Sequence, residues 1–347
     1  MRTEDERLAR RVAQLDDNAA RFRTMRGDFT LTLIVPDEAP AREPTFGVCA
    51  QTRCDEGCGV DHARHDTGGP KFRRGNILAA AGVAEIGGEQ VNVYTATSAF
   101  QDPHRIDARP SLIARARSAD LVVAAGAQLE IGWLPVLLQE SGNARIQPGA
   151  PGYFEADAQL QLLEVPGSVD RSMGDVHPLG NPHAHLDPHN VATVARALAA
   201  RLASLDTAHA AFYQARAADF LTRWQAAIAR WESQAAPLRG ATVVVQHRDQ
   251  VYLCHWLGLV EVAAIEPKPG IPPSAGYLGQ LVARLGAAPP RMILRSAYSD
   301  AKAADWLAER VHAPVVVLPY TVGGSGAARD LFGLFDDTIT RLLGAVR

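Results

Sequence analysis

Residues 241–265 read ATVVVQHRDQVYLCHWLGLVEVAAI. Three consecutive valines in ATVVVQH mark a short strand buried in an apolar layer, QVYLCHWLGL has helical spacing, and VEVAAI returns to a strand. The alternation continues to the C-terminus. PSAGYLGQLVARLGA reads as a helix, RMILRSA as a strand, KAADWLAERV as a helix, APVVVLP as a strand and DLFGLFDDTITRLLGAV as a closing helix. Such an order specifies an α/β unit.

Upstream lies a second unit of the same kind. NILAAAGVAEIGG is helix-like, QVNVYTAT alternates as a strand, PSLIARARSA is a short helix opening at Pro110, and DLVVAAG is a buried strand. Between the units, Phe212, Phe220, Trp224, Ile228 and Trp231 fall at helical spacing within 208–236. A helix of that length runs roughly 40 Å, enough to join two bodies rigidly. The expected fold is therefore α/β, with two α/β lobes joined by one long rigid helix. The divisions are a leader over 1–75, an N-terminal lobe over 76–205, a linking helix over 206–236 and a C-terminal lobe over 237–347.

The leader differs in character from the rest of the chain. It offers a helical pattern over 4–24 and a strand-like FTLTLIV at 29–35, then charged and Gly/Pro-rich sequence without period. Cys49, Cys54 and Cys58, with His62 or His65, could hold a structural zinc, although C-x4-C-x3-C is not a finger or ribbon spacing. An unrelated leader from a shifted frame or misplaced start would explain the abrupt change near residue 76.

The chain has 347 residues, 47% of them hydrophobic, which is ample for two cores. A formal charge of -3 gives no case for nucleic acid or an anionic membrane. No apolar run reaches the roughly 18 residues of a membrane span, and the first residues lack an export signal's apolar region. Taken at face value the chain is cytoplasmic if Met1 is the true start, and a monomer is expected.

Histidines carry the chemistry. Four of the eleven stand in GDVHPLGNPHAHLDPHN at 174–190. Asp187 can cap, and Pro188 open, a helix over VATVARALAARLASL, so His183 and His185 precede that helix on non-helical backbone. His104 follows the strand VNVYTAT in SAFQDPHR, and His247 ends TVVVQH. Ligand sites in α/β proteins gather at strand ends, and a cleft between lobes would bring His104, His183 and His247 face to face. Three imidazoles with an open fourth position suit zinc; manganese or magnesium would ask for more carboxylate oxygen.

Taken in order, DPH at 102–104, NPHAHLDP, VVVQHRDQVYLCHWLGL, IEPKPGIPPSAGYLGQL and WLAERVHAPVVVLPYTVGG resemble the zinc and manganese binding proteins of bacterial ABC importers. The resemblance runs from about residue 79 to the C-terminus. It implies a solute-binding protein with one Zn2+ (Mn2+ less so) in the interlobe cleft, delivered to an ABC permease from the periplasm. The first, second and third metal ligands then fall on His104, His183 and His247, and histidine at the third place is nearer the zinc branch.

Two departures stand out. Pro319 occupies the place where the family often has an aspartate, so the fourth ligand is expected to be water first, His185 second, or an acidic side chain elsewhere; His183 and His185 point to one side if the segment is extended. The family's opening strand is also absent from its usual place, with FTLTLIV about forty residues upstream as a substitute. Asp102, Glu130 and Glu266 are expected to be structural or to orient ligands. His177 and His189 are expected at the surface, His177 with some part in collecting metal. A hydrolase using a three-histidine zinc, or a metal-free adhesion module, are the competing classes; no HExxH motif supports the former.

Overall fold

The computed structural model describes residues 31–34, 78–168, 174 and 177–346. The helix expected over 4–24 and the site at Cys49, Cys54 and Cys58 with His62 or His65 lie outside the described residues. Two four-stranded parallel sheets form the frame. Strands β1 (Leu31–Ile34), β2 (Val91–Tyr94), β3 (Leu121–Ala124) and β4 (Tyr153–Glu155) lie in the order β2-β1-β3-β4. Strands β5 (Thr242–Val245), β6 (Val260–Ala264), β7 (Met292–Ser296) and β8 (Val315–Leu318) repeat that topology as β6-β5-β7-β8. Each sheet changes winding direction beside its first strand, where an open parallel sheet leaves a crevice at its carboxyl ends.

The strand read in FTLTLIV is present as β1, and it takes an inner position, paired to β2 and β3. The leader and the N-terminal lobe are therefore not separate at this point. A parallel pair asks for matching register and β-forming residues, and lengthening the connection adds closure entropy only logarithmically.

Nine helices complete the described part: α1 (Leu78–Gly87), α2 (Pro110–Arg117), α3 (Leu134–Ser141), α4 (Pro188–Leu205), α5 (Ala210–Ala235), α6 (Val251–Leu257), α7 (Ala275–Leu285), α8 (Lys302–Val311) and α9 (Leu331–Val346). Two short elements, β4 and α3, have no counterpart in the sequence reading. Three residues carry no period, and two helical turns carry little.

Strand side chains alternate between two environments, as a doubly covered sheet requires. Leu121 and Val123, Val243 and Val245, and Met292 and Leu294 face one shared core. Val122 and Ala124 face an outer core with α2 and α3, whereas Val244 and Ile293 face another with α7 and α8. The long helix α5 lies within the shared core and packs on α1, α4 and α9. Its buried stripe runs Tyr213, Ala217, Phe220, Trp224, Ile228, Trp231, Ala235, at helical spacing throughout. Trp224 and Trp231 meet edge to face at 5.0 Å, and each lies 5.0 Å from an aromatic ring of α9, Phe332 and Phe335 respectively. One apolar body thus holds both lobes.

Candidate metal centre

His104, His183 and His247 come together from three loops. The first lies after β2: Trp133 Nε1 donates to Pro103 O at 3.1 Å, and Asp102 Oδ1 accepts both the His104 backbone N–H at 3.0 Å and Nδ1 at 2.7 Å. The second leads into α4, which Asp187 caps by accepting from His189 N at 2.8 Å. Within it Asn181 Oδ1 accepts from His183 N at 3.0 Å, while Asn181 Nδ2 donates to Arg248 O at 2.8 Å in the other lobe. His183 is 1% exposed, and its Nδ1 pairs with Tyr320 Oη at 2.8 Å. The third loop lies after β5, where His247 Nδ1 donates to Glu266 Oε2 at 2.7 Å. The same oxygen accepts from Gly270 N at 2.8 Å, which fixes the carboxylate.

Each ring is thus held at Nδ1. A carboxylate accepts only, so His104 and His247 carry their proton on Nδ1 and present a bare Nε2. Ring centroids stand at 5.4 Å for His104–His183, 5.5 Å for His104–His247 and 5.4 Å for His183–His247, steeply inclined to one another. One nitrogen from each lies within 4.8 Å of the others. Three convergent imidazoles, each braced by a second partner, fit a borderline-soft divalent ion.

Electrostatics divides the three. Burial first, then the neighbouring histidines, hold His183 well below the usual imidazole range, so it stays neutral. Burial also acts against charge on His247, but Glu266, with Asp249 and Asp102, outweighs it and leaves that pKa raised. Burial would lift Asp102, yet its bonds to His104 prevail and lower it.

Of the other residues expected near the metal, His185 does not join the three: its Nε2 meets Tyr320 O at 3.0 Å and its ring packs edge-on against Tyr320. The assumption of extended backbone fails because Ala184–Leu186 form a 3-10 turn, so alternate residues no longer project together. Glu130 accepts from Ala125 N at 2.7 Å and Gly126 N at 3.3 Å, tying down the turn after β3; burial pushes its pKa up to about 7. Asp102 and Glu266 are the carboxylates that hold the His104 and His247 rings at Nδ1. His189 is paired with Glu232 at 2.9 Å near the surface. His177, expected at the surface, instead stacks on His104 with Nε2 atoms 3.4 Å apart. No periodic signal marks this contact in the chain, only the local density of histidine. After β8, the Pro319 side chain offers no ligand atom, and the next residue, Tyr320, braces His183.

Burial holds the His185 pKa down to about 4. The unfolded chain takes up this proton near pH 6.5 and the folded one does not, so stability is intact above that pH and is lost as pH falls toward 4. For metal-free protein the loss from this residue is about 3 kcal/mol over that window. Urea unfolding at pH 7 and pH 4.5 should show it, and His185→Gln should lessen the difference; an equal pH dependence in both proteins would contradict it.

Comparison with known proteins points the same way. Residues 78–345 match the family described as "ZnuA: Zinc-uptake complex component A periplasmic". The chain is 25% identical over 162 residues to the metal ABC transporter substrate-binding lipoprotein ScbA of Streptococcus cristatus, covering 45% of this chain and 49% of that protein. It is 23% identical over 148 residues to the manganese ABC transporter substrate-binding lipoprotein PsaA of Streptococcus anginosus, covering 42% and 45%. These matches span about half the length of those relatives. Among solved structures, a crystal structure of ZnuA superposes with a TM-score of 0.63 at 20% identity, covering 91% of this chain and 99% of the other. The solute-binding protein FpvC of Pseudomonas aeruginosa in complex with Mn2+ gives 0.67 at 23% identity, covering 78% and 95%.

Proposed function

Because the chain belongs to the ZnuA family of periplasmic zinc-uptake components, we propose that it captures a divalent transition metal, zinc before manganese, and delivers it to an ABC import permease outside the cytoplasm. The observation that carries this reading is the triangle of His104, His183 and His247, each with Nδ1 engaged and one nitrogen turned inward. The hydrolase alternative is set aside, since the family comprises substrate-binding components of importers and not enzymes.

Zinc is favoured by the donors. All three are imidazole nitrogens, which suit zinc, whereas manganese leans toward carboxylate and water oxygen. Among the described residues, glutamate and aspartate oxygens stand behind the rings, on the Nδ1 atoms of His104 and His247. Titration calorimetry of chelator-treated protein tests the proposal: zinc should bind one to one and at least tenfold more tightly than manganese. No heat with either ion would favour the metal-free module, and manganese binding as tightly as zinc would reverse the order of cargo.

The raised pKa of His247 sets a pH dependence. Metal needs the neutral ring, so below that pKa a proton competes and affinity falls about tenfold per pH unit. Glu266→Gln removes the nearest charge that favours the proton. It should move the fall to lower pH and weaken zinc binding about 10–100-fold at high pH, through loss of ring orientation. Affinities measured by chelator competition from pH 5.5 to 8.5 would detect both changes, and an unaltered profile would exclude this role for Glu266.

A further inference from the structure

We propose that Asp249 supplies the buried negative charge that balances the divalent ion, acting on the ion through the protein interior without ligating it. The proposal rests on the capture reading above and adds to it a residue outside the three histidines.

Asp249 stands two residues after His247, in the 3-10 turn Arg248–Gln250 that leads into α6, and it is 1% exposed. Its Oδ2 accepts from Ser296 Oγ at the end of β7 and from Tyr298 Oη at 2.9 Å. Gln250 Nε2 in turn donates to Ser296 Oγ at 2.8 Å, which aims the serine proton at the carboxylate. The Tyr298 ring meets the Tyr320 ring edge-on at 5.1 Å, and the Tyr320 hydroxyl braces His183. The carboxylate is thus tied by sequence to one ligand and by two packed tyrosines to another.

Hydroxyl donors do not neutralise a buried anion. Burial works against the charge of Asp249 and pushes its pKa up, and His247 is the neighbour that opposes this most, ahead of the Ser296 and Tyr298 hydroxyls. The positive charge the carboxylate faces is therefore that of the metal site. Three neutral imidazoles leave a divalent ion both its charges. Asp102 and Glu266, which hold two of the rings, are 40% and 20% exposed, so water screens them more than it screens Asp249. Attraction to a charge as deeply buried as Asp249 is strong for the same reason that burying it is costly. The two effects have opposite signs in the empty and loaded protein. Replacing the carboxylate by an amide of the same shape relieves the empty fold and weakens the loaded one.

The experiment uses the full chain after chelator treatment, as wild type, Asp249→Asn and Asp219→Asn. The last removes an equal charge from α5, where Asp219 is 67% exposed. Competition with a chromophoric chelator gives zinc and cobalt affinities, the visible spectrum of cobalt-loaded protein reports the ligand set, and urea unfolding in chelator reports the fold. For Asp249→Asn, zinc and cobalt affinities are expected to fall by the same factor, at least tenfold, with the cobalt spectrum of the wild type and a urea midpoint unchanged or higher. Asp219→Asn should bind both ions as the wild type does. Zinc affinity of Asp249→Asn within threefold of wild type, or an equal fall in Asp219→Asn, would overturn this proposal alone. An altered cobalt spectrum or a lowered urea midpoint in Asp249→Asn would overturn it too, by making the residue a structural prop. A wild type that binds neither zinc nor cobalt would instead remove the capture reading, and this proposal with it.

Discussion

A chain carrying both His104→Ala and His183→Ala is expected to lose stoichiometric zinc binding at micromolar concentration. Zinc held by four protein ligands binds with about 10–16 kcal/mol, so each ligand contributes on the order of 3–4 kcal/mol. Removing two costs about 6–8 kcal/mol, on the order of a 10⁴–10⁶-fold loss. His185 does not substitute for either side chain, since its Nε2 is turned to the Tyr320 carbonyl. Titration calorimetry after chelator treatment measures the loss. Folding is monitored separately by thermal melts in chelator, because His183 is buried and its removal leaves a void. Zinc at a hundredfold excess over Kd should stabilise the wild type by about 2.7 kcal/mol and leave the double variant unmoved. Unchanged affinity in the double variant would sink the assignment.

Trp224→Ala should give the second large effect, a loss of about 3–5 kcal/mol in stability. The indole is wholly buried on α5, stacks with Phe220, and meets Trp231, Phe332 and Phe335. Its Nε1 donates to Pro188 O at 2.8 Å, at the first residue of the helix that succeeds the His183 loop. Truncation therefore opens a cavity and leaves that carbonyl without its donor. Typical domains have only about 5–15 kcal/mol in hand, so the urea midpoint should drop steeply. Zinc affinity should fall as well, through the loosened loop. A loss under about 1 kcal/mol, well below the usual cost of truncating a buried aromatic, would show that the two tryptophans do not hold the lobes together.

Most of the fold is legible in the chain because parallel strands covered on both faces read as unbroken apolar runs, as in Val243–Val245, and because α5 and α9 are long enough to show helical period. The inner place of β1 is not legible: register between strands far apart in the chain leaves no local trace. At the site, sequence identifies His104, His183 and His247 as residues at strand ends and loops, but two parallel sheets and α5 are what bring them together. His185 escapes such reading because a single 3-10 turn changes which neighbours share a side. The place of His177 escapes it because stacking on His104 belongs to tertiary packing. Tyr320, which braces both His183 and His185, carries no local mark beyond its position after β8.

The shared core has a consequence for how the molecule opens. Val123 of the first sheet and Val245 of the second are buried in one apolar body with α5, so neither sheet can expose its inner face without uncovering the other's. Amide hydrogen exchange at these two strands should then report a single opening event with one free energy. Zinc bound by loops of both lobes should slow the two by the same factor, although Val123 and Val245 are not themselves ligands.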